Sequence, residues 1–157
     1  MSKTTRATQT LEKAGVAFAT VTYDYDPNAD RIGMAAAEAI GEEPRRVLKT
    51  LMAEVDGKAV CLVVPSDREV SMKKLASAFG GKSANMMKPA DAERATGYHV
   101  GGISPFGQKK LVPTAIEITA LDEPHVFING GQRGLQIRLD PKAARDALKA
   151  VAAPLIA

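Results

Sequence analysis

The sequence predicts a single α+β domain, residues 1–157, with a mixed, curved or barrel-like β-sheet and flanking helices. Helical periodicity occurs at both ends and in the middle of the chain, with short β-type segments between. Two of these segments surround Asp56-Gly57, a strong hairpin signal, and two more flank the glycine-rich turn 130–134. We find no long linker, low-complexity segment or internal repeat that would divide the 157 residues.

The composition is that of a globular protein, with 45% hydrophobic and 25% charged residues. No apolar run approaches the roughly 20 residues that span a membrane, and residues 1–10 lack the apolar core of a signal peptide. We therefore expect a cytoplasmic protein. A single cysteine, Cys61, excludes an internal disulfide, and the separated histidines His99 and His125 give no metal-ligand cluster. We expect neither a metal nor another cofactor.

The first half of the chain predicts two helices, a strand and a hairpin. The helices span 4–14 and 35–40, the strand spans 16–26, and the hairpin spans 47–64. Gly15 and Gly41 follow the two helices, as C-terminal caps commonly do. Cys61 lies in the apolar second half of the hairpin, with no histidine or aspartate nearby in sequence, so we expect a core residue and not a nucleophile.

The second half predicts three helices and three strands. The helices span 72–79, 89–97 and 141–151, and the strands span 114–118, 125–129 and 135–139. Ser71 and Pro89 are typical of a helix start. The last helix would bury Val151 on its apolar stripe.

The least ordinary stretch is the loop 96–108, TGYHVGGISPFGQ. Gly101, Gly102, Gly107 and Pro105 prevent a helix or a regular strand from running through it. Paired glycines let a ligand approach the main chain, so the loop is either a cradle of N–H and C=O groups or a connector that turns the chain.

A lysine occupies one face of the first hairpin strand. Strand alternation places Lys49 beside Val47, Leu51 and Ala53, which are apolar. A lysine there loses hydration unless it meets an anion or its long stem reaches an opening, and the pattern allows both interpretations.

Three other features of the sequence also allow two interpretations each. Tyr23 and Tyr25 share one strand face and either pack or line a site, and the turn 130–134 is either a plain hairpin turn or an anion-binding one. Basic residues cluster at 45–49, 73–74, 109–110 and 133–138. These clusters form either one phosphate-binding surface or separate solvated faces.

Three stretches in this order resemble the YbaK/EbsC family of free-standing tRNA-editing deacylases, relatives of the editing domain of bacterial prolyl-tRNA synthetase. They are RVLKTL at 46–51, TGYHVGGISPFG at 96–107 and GGQRGL at 130–135, and YDYDP at 23–27 resembles the family's opening strand and turn. The resemblance spans almost the whole chain. It implies a YbaK-like α+β fold and hydrolysis of the ester that joins a wrong amino acid to tRNA, with Cys-tRNA(Pro) or Cys-tRNA(Cys) as the expected substrate.

The resemblance also implies the site residues. Lys49 matches the family's essential lysine, and Gly101 and Gly102 match the loop whose main chain holds the aminoacyl group, so these three are the expected catalytic residues. The expected substrate-binding residues are Tyr23, Thr50, Ile103, Ser104, Pro105, Asn129, Gly130, Gly131, Arg133, Gly134 and Gln136. The well-known branch of the family has serine in place of Asn129 and aspartate in place of Gln136, and these two differences bear on selectivity for cysteine.

The sequence offers no Ser-His-Asp or Cys-His set. The resemblance implies that the substrate's own thiol attacks the ester while the enzyme positions the reactants. The expected partners are the 3′ end of aminoacylated tRNA and, transiently, prolyl-tRNA synthetase. Two alternatives stay open: a relative that removes alanine from tRNA(Pro) with water, and a non-catalytic module that binds tRNA or a synthetase.

Overall fold

A computed structural model describes residues 4–29 and 31–157, which form five α-helices, two short 3-10 helices and eight strands. The α-helices are α1 (Arg6–Lys13), α2 (Ile32–Ile40), α3 (Met72–Ala78), α4 (Pro89–Thr96) and α5 (Pro141–Leu148). The strands are β1 (Ala19–Thr22), β2 (Val47–Val55), β3 (Lys58–Pro65), β4 (Ala84–Met86), β5 (Thr114–Glu117), β6 (Val126–Asn129), β7 (Leu135–Leu139) and β8 (Val151–Ala153). Within the described residues, no helix is long and apolar enough to cross a membrane.

The strands form one mixed sheet in the order β1-β7-β6-β2-β3-β5-β8, and β4 also pairs with β2. The β2-β3 hairpin, β1-β7, β6-β7 and β2-β4 are antiparallel, whereas β2-β6, β3-β5 and β5-β8 are parallel. The α+β class and the mixed sheet are therefore confirmed. In the described part of the chain the sheet is open between β1 and β8 and does not close into a barrel.

Helices cover both faces of the sheet. Ala7 of α1 and Ala144 of α5 pack with Ile128 and Ile137 on one face. On the other face α2 packs against β2 and β6, and α3 packs against β2, β3 and β5. Because both faces are covered, β2 carries buried residues on both of its sides, including Val47 and Leu48.

The hairpin prediction is confirmed because Asp56 and Gly57 both adopt the positive φ angles, 50° and 81°, that a two-residue turn of this kind needs. The predictions for the helices near 4–14, 35–40, 72–79 and 89–97 are likewise confirmed. Gly41 ends α2 in the left-handed conformation at φ 71°.

Two predicted elements have wrong bounds. The strand over 16–26 is only β1, so Tyr23 and Tyr25 lie beyond its end. The last helix stops at Leu148, because Lys149 takes a left-handed conformation at φ 53°. Val151 consequently lies in β8 with 44% of its surface exposed and is not part of a buried helical stripe. The three-residue strands β4 and β8 were absent from the prediction.

Candidate functional site

A cavity of about 450 Å³ lies beside the middle of β2. Its apolar lining includes Leu48, Leu51, Met52, Met87, Ala92 and Ile103. Its polar lining includes Tyr23, Arg31, Lys49, Thr50, Glu69, Asn129 and Gln136. A largely apolar cavity with a few polar groups is the usual form of a small-ligand site.

Lys49 lies on this cavity wall, half-buried, on the same face of β2 as Val47 and next to the start of α2. A side chain at Gly33 of α2 would meet the Ser66 hydroxyl at 2.7 Å and the Lys49 Cβ at 3.7 Å, so glycine permits this close packing. Burial lowers the pKa of Lys49, and the Glu69 carboxylate partly offsets that effect. The positive charge of Lys49 is therefore only partly balanced by Glu69.

Arg31 adds a second positive charge to the cavity wall. Its guanidinium donates to the Ser66 carbonyl at 3.3 Å, and its charge also lowers the pKa of Lys49. Sequence analysis missed Arg31 and Glu69, because each precedes or follows a regular element and belongs to no periodic pattern or glycine motif. Only their approach to Lys49 in the fold identifies them.

The register of the sheet aligns further polar side chains with Lys49. Asn129 is paired with Gln136 across β6 and β7, and the β2-β6 register brings Asn129 to the level of Lys49. Tyr23 extends this group, since its N–H donates to the carbonyl of Gly134. Burial raises the pKa of Tyr23, and the neighbouring Gln136 side chain partly offsets this. The Gln136 Oε1 is buried without a hydrogen-bond partner among the described residues.

The loop 96–108 has a defined internal structure. The Tyr98 hydroxyl donates to the Phe106 carbonyl at 2.6 Å, and the side chain of Gln108 donates to the Ser104 carbonyl at 3.0 Å. The Ser104 hydroxyl accepts from the Phe106 N–H, and Ser104 is fully buried together with Pro105. Ser104 and Pro105, which were expected as substrate-binding residues, are buried and stabilise the loop.

Two loop residues that line the cavity have main-chain N–H groups without a partner in the described part of the chain. Gly102 donates its N–H to the His99 carbonyl at 2.8 Å, and Val100 donates to the Glu93 carboxylate at 2.8 Å. The N–H groups of Gly101 and Ile103 have no acceptor among the described residues, and both residues line the cavity. The two available donors thus come from Gly101 and Ile103, whereas the amide of Gly102 is occupied.

Hydrogen bonds connect the turn 130–134 and the adjoining Asn129 to the loop 96–108. The Asn129 side chain donates to the Gly101 carbonyl at 3.1 Å and accepts from the Gly131 N–H at 2.7 Å. Arg133 donates to the Val100 carbonyl at 2.9 Å while its guanidinium lies over the Tyr25 ring, 5.4 Å from the centroid. The turn therefore fixes the orientation of two consecutive peptide groups of the loop.

Close packing between loop and turn explains the glycines there. A Cβ on Gly102 would lie 2.9 Å from the Arg133 nitrogen, and one on Gly131 would lie 2.8 Å from the Tyr98 ring. Neither position tolerates a side chain without movement of the main chain or of a buried ring.

The structure separates the expected site residues into two groups. Those that line the cavity are Tyr23, Lys49, Thr50, Gly101, Ile103, Asn129 and Gln136. Those that do not are Gly102, Ser104, Pro105, Gly130, Gly131, Arg133 and Gly134, and they belong to the supporting loop and turn.

Cys61 is fully buried, and burial raises the pKa of its thiol to about 12. The prediction of a core residue is confirmed, and a thiol with this pKa is a poor nucleophile at neutral pH. Among residues 4–29 and 31–157, no three His, Cys, Asp or Glu side chains are grouped in a way that could hold a metal ion.

The residues of the basic clusters differ in whether an acidic side chain pairs with them. Arg46 pairs with Glu123 at 2.8 Å, and Arg45 pairs with Glu43 at 3.2 Å. These two arginines are neutralised, whereas Lys110 and Arg133 are exposed near the loop 96–108.

The profile of the aminoacyl-tRNA editing domain family matches residues 26–147. The chain is 38% identical over 124 residues to the presumed Cys-tRNA(Pro)/Cys-tRNA(Cys) deacylase EbsC of Enterococcus faecalis, covering 77% of this chain and 75% of that protein. It is 24% identical over 124 residues to the multifunctional Ser/Thr-tRNA deacylase ProXp-y of Escherichia coli K12, covering 77% and 73%.

Among solved structures, a presumed trans-editing enzyme for prolyl-tRNA synthetase superimposes with a TM-score of 0.81 at 24% identity, covering 97% of this chain and 95% of the other. This likeness shows a shared fold. With the family profile, the EbsC identity and the cavity around Lys49 taken together, the chain belongs to the aminoacyl-tRNA editing domain family.

Proposed function

We propose that the protein cleaves the ester bond of mischarged aminoacyl-tRNA, with Cys-tRNA(Pro) or Cys-tRNA(Cys) as substrate. One observation carries the proposal: the half-buried cation of Lys49 shares a largely apolar cavity with the unoccupied N–H groups of Gly101 and Ile103. A cation and oriented amides in a poorly hydrated site stabilise an oxyanion such as the one formed during ester cleavage.

The proposed nucleophile is the thiol of the substrate. Its sulfur loses a proton, attacks the ester carbonyl carbon and forms a thiolactone, while the C–O bond to the terminal ribose breaks and the ribose oxygen takes up a proton, so that none is gained or lost overall. This route is supported by the burial of Cys61, which leaves the chain without a reactive thiol in the described residues. Positioning alone lowers such a barrier by roughly 7–11 kcal/mol.

The first test is substitution of Lys49. Lys49→Ala removes a charge that serves the developing oxyanion, so we expect deacylation to fall at least about 100-fold while circular dichroism shows an intact fold. Lys49→Arg fails as well, because a planar guanidinium does not replace a compact ammonium. Lys73→Ala, which removes an exposed lysine on α3, is the matched control and keeps full activity. Near-normal turnover by Lys49→Ala would overturn the site assignment.

The second test uses tRNAs charged with Cys, Ala, Ser and Pro. Thiol attack predicts that the cysteinyl ester is cleaved far faster than the seryl ester, because a thiol is ionised to a few per cent at neutral pH and a hydroxyl is not. Faster cleavage of alanyl-tRNA would instead indicate water as nucleophile. Binding of tRNA without any turnover would indicate a non-catalytic module.

We also propose prolyl-tRNA synthetase as a transient partner that brings the substrate. The support is the shared fold with the presumed trans-editing enzyme of that synthetase. Co-sedimentation of the two proteins with and without tRNA(Pro) tests the association.

A further inference from the structure

The cavity coincides with an interruption in the hydrogen bonding of β2. Along one edge β2 pairs continuously with β3, from Leu48 to Val55. Along the other edge, β6 pairs only with Val47 and Leu48, and β4 begins its pairing at Ala53. In the described part of the chain, residues 49–52 therefore have no partner strand on that edge.

The main-chain N–H and C=O groups of Thr50 face this interruption. The Val47 carbonyl accepts from the Ser66 N–H on the β3 side, and the Met52 carbonyl accepts from the Met87 N–H on the opposite side. Because successive residues of a strand direct their N–H and C=O groups to opposite edges, those of Thr50 point away from β3. Thr50 also lines the cavity, and its hydroxyl is buried without a partner among the described residues.

Two local features create the interruption. Continuing the β2-β6 ladder would require the Gly131 N–H to reach the Thr50 carbonyl, but that N–H donates to the Asn129 side chain at 2.7 Å. Continuing the β2-β4 register would bring Pro89 opposite Thr50, and proline has no N–H to donate. Pro89 also begins α4, so the chain leaves the sheet there.

We propose that this open edge at Thr50 binds the aminoacyl group as a one-residue strand partner. The Thr50 carbonyl accepts from the α-ammonium of the substrate, and the Thr50 N–H donates to the ester carbonyl oxygen. An α-aminoacyl ester carries its nitrogen and its carbonyl at the spacing of one residue, which is the pattern that an antiparallel hydrogen-bonded pair presents. The ligand class is therefore an α-amino acyl ester or amide, and the inference rests on the proposed function.

This arrangement gives Thr50 a part in the reaction. The ester carbonyl oxygen gains negative charge when the nucleophile attacks, so the Thr50 N–H strengthens its hydrogen bond as the reaction proceeds. Because Lys49 is the preceding residue, the bound ester lies within the same cavity as its ammonium. Because these contacts use only main-chain groups of Thr50 and the common part of the aminoacyl group, they do not distinguish one amino acid from another.

The test measures amide hydrogen exchange by NMR with 3′-amino-3′-deoxyadenosine acylated on its 3′ nitrogen with alanine, whose amide resists hydrolysis. We expect the Thr50 N–H to exchange rapidly in the free protein and at least about tenfold more slowly with saturating probe. The Leu51 N–H, which faces β3, is the internal control and stays protected in both states. The same compound acylated with propionate lacks the amine and should bind roughly 10- to 100-fold more weakly.

The outcomes separate the two proposals. If the alanyl probe shifts the Gly101 and Ile103 amides but leaves Thr50 exchange unchanged, the inference is wrong and the proposed function stands. Equal affinity of the alanyl and propionyl probes also contradicts it. If tRNA is deacylated while millimolar probe perturbs none of these amides, the ester lies elsewhere and the inference fails. If the probe does not bind and no aminoacyl-tRNA is cleaved, the proposed function fails first and the inference with it.

Discussion

Replacing Asn129 with alanine tests whether the contacts between the turn 130–134 and the loop 96–108 position that loop for the proposed reaction. The substitution removes the bond from the Asn129 amide to the Gly101 carbonyl and the bond from the Gly131 N–H to the Asn129 oxygen. At about 0.5–1.5 kcal/mol each, the loss of both lowers the free energy of unfolding by about 1–3 kcal/mol. The peptide group between Gly101 and Gly102 then keeps only the bond from the Gly102 N–H to the His99 carbonyl, so this part of the loop is held less firmly beside the cavity.

We expect Asn129→Ala to decrease the rate of deacylation by a larger factor than its effect on stability would suggest. Misplacement of a reacting group by about 1 Å costs on the order of 100-fold, so we expect kcat to fall by about that factor with little change in KM. Urea unfolding followed by circular dichroism measures the first quantity, and single-turnover deacylation measures the second. Asn85→Ala is the control, because this asparagine also makes two side-chain hydrogen bonds, both donated, at 3.3 and 3.5 Å, but lies exposed at the sheet edge.

A particular result would refute the reasoning. If Asn129→Ala raises KM and leaves kcat unchanged, Asn129 contacts the substrate directly and does not position the loop. If Asn85→Ala reduces kcat as strongly as Asn129→Ala, the effect is not specific to the loop.

Three further predictions concern stability and RNA binding. Burial raises the pKa of Glu117, but hydrogen bonds from Leu155 N–H and other donors outweigh it and hold that pKa below its usual 4.5. Its stabilising effect is thus present above about pH 4.5 and lost as the pH falls through the lower folded pKa, so Glu117→Gln should flatten the acid limb of a thermal unfolding profile. Cys61→Ala should cost about 1–2 kcal/mol in urea unfolding yet leave cleavage of Cys-tRNA(Pro) unchanged, and lost cleavage in a folded variant would contradict thiol attack by the substrate. Lys110→Ala should reduce the salt dependence of tRNA binding by about one ion, measured by fluorescence anisotropy, whereas Arg45→Ala, already paired with Glu43, should not.

Local signals account for what the sequence could predict. The β2-β3 hairpin depends on Asp56-Gly57, and the start of α3 depends on the Ser71 side chain, which accepts from an N–H within its own first turn. Such features require only neighbouring residues. The strands β4 and β8 have three residues each, too few for a periodic pattern, and they exist because longer strands offer them an edge.

The same distinction between local sequence signals and contacts made only in the fold applies to the candidate site. Lys49 and the glycine loop stand out in the sequence as a charge on an apolar strand face and as paired glycines, and the family resemblance made them expected site residues. Arg31 and Glu69 conflict with nothing locally, so they could not be found. The open edge at Thr50 is also invisible in the sequence, because it depends on where the ladders of β4 and β6 stop.

The two differences from the well-known branch of the family have unequal consequences in this structure. The Asn129 side chain bonds to the loop at Gly101 and to the turn at Gly131, so we expect it to act on catalysis through the position of the loop. Gln136 faces the cavity beside Tyr23 and keeps a buried oxygen without a partner among the described residues. A carboxylate at position 136 would add a negative charge to a cavity that holds Lys49, whereas the amide adds none. We therefore expect a substitution at position 136 to change selectivity among amino acids more than one at position 129, because both residues line the cavity but the Asn129 side chain is already bonded to the loop and the turn.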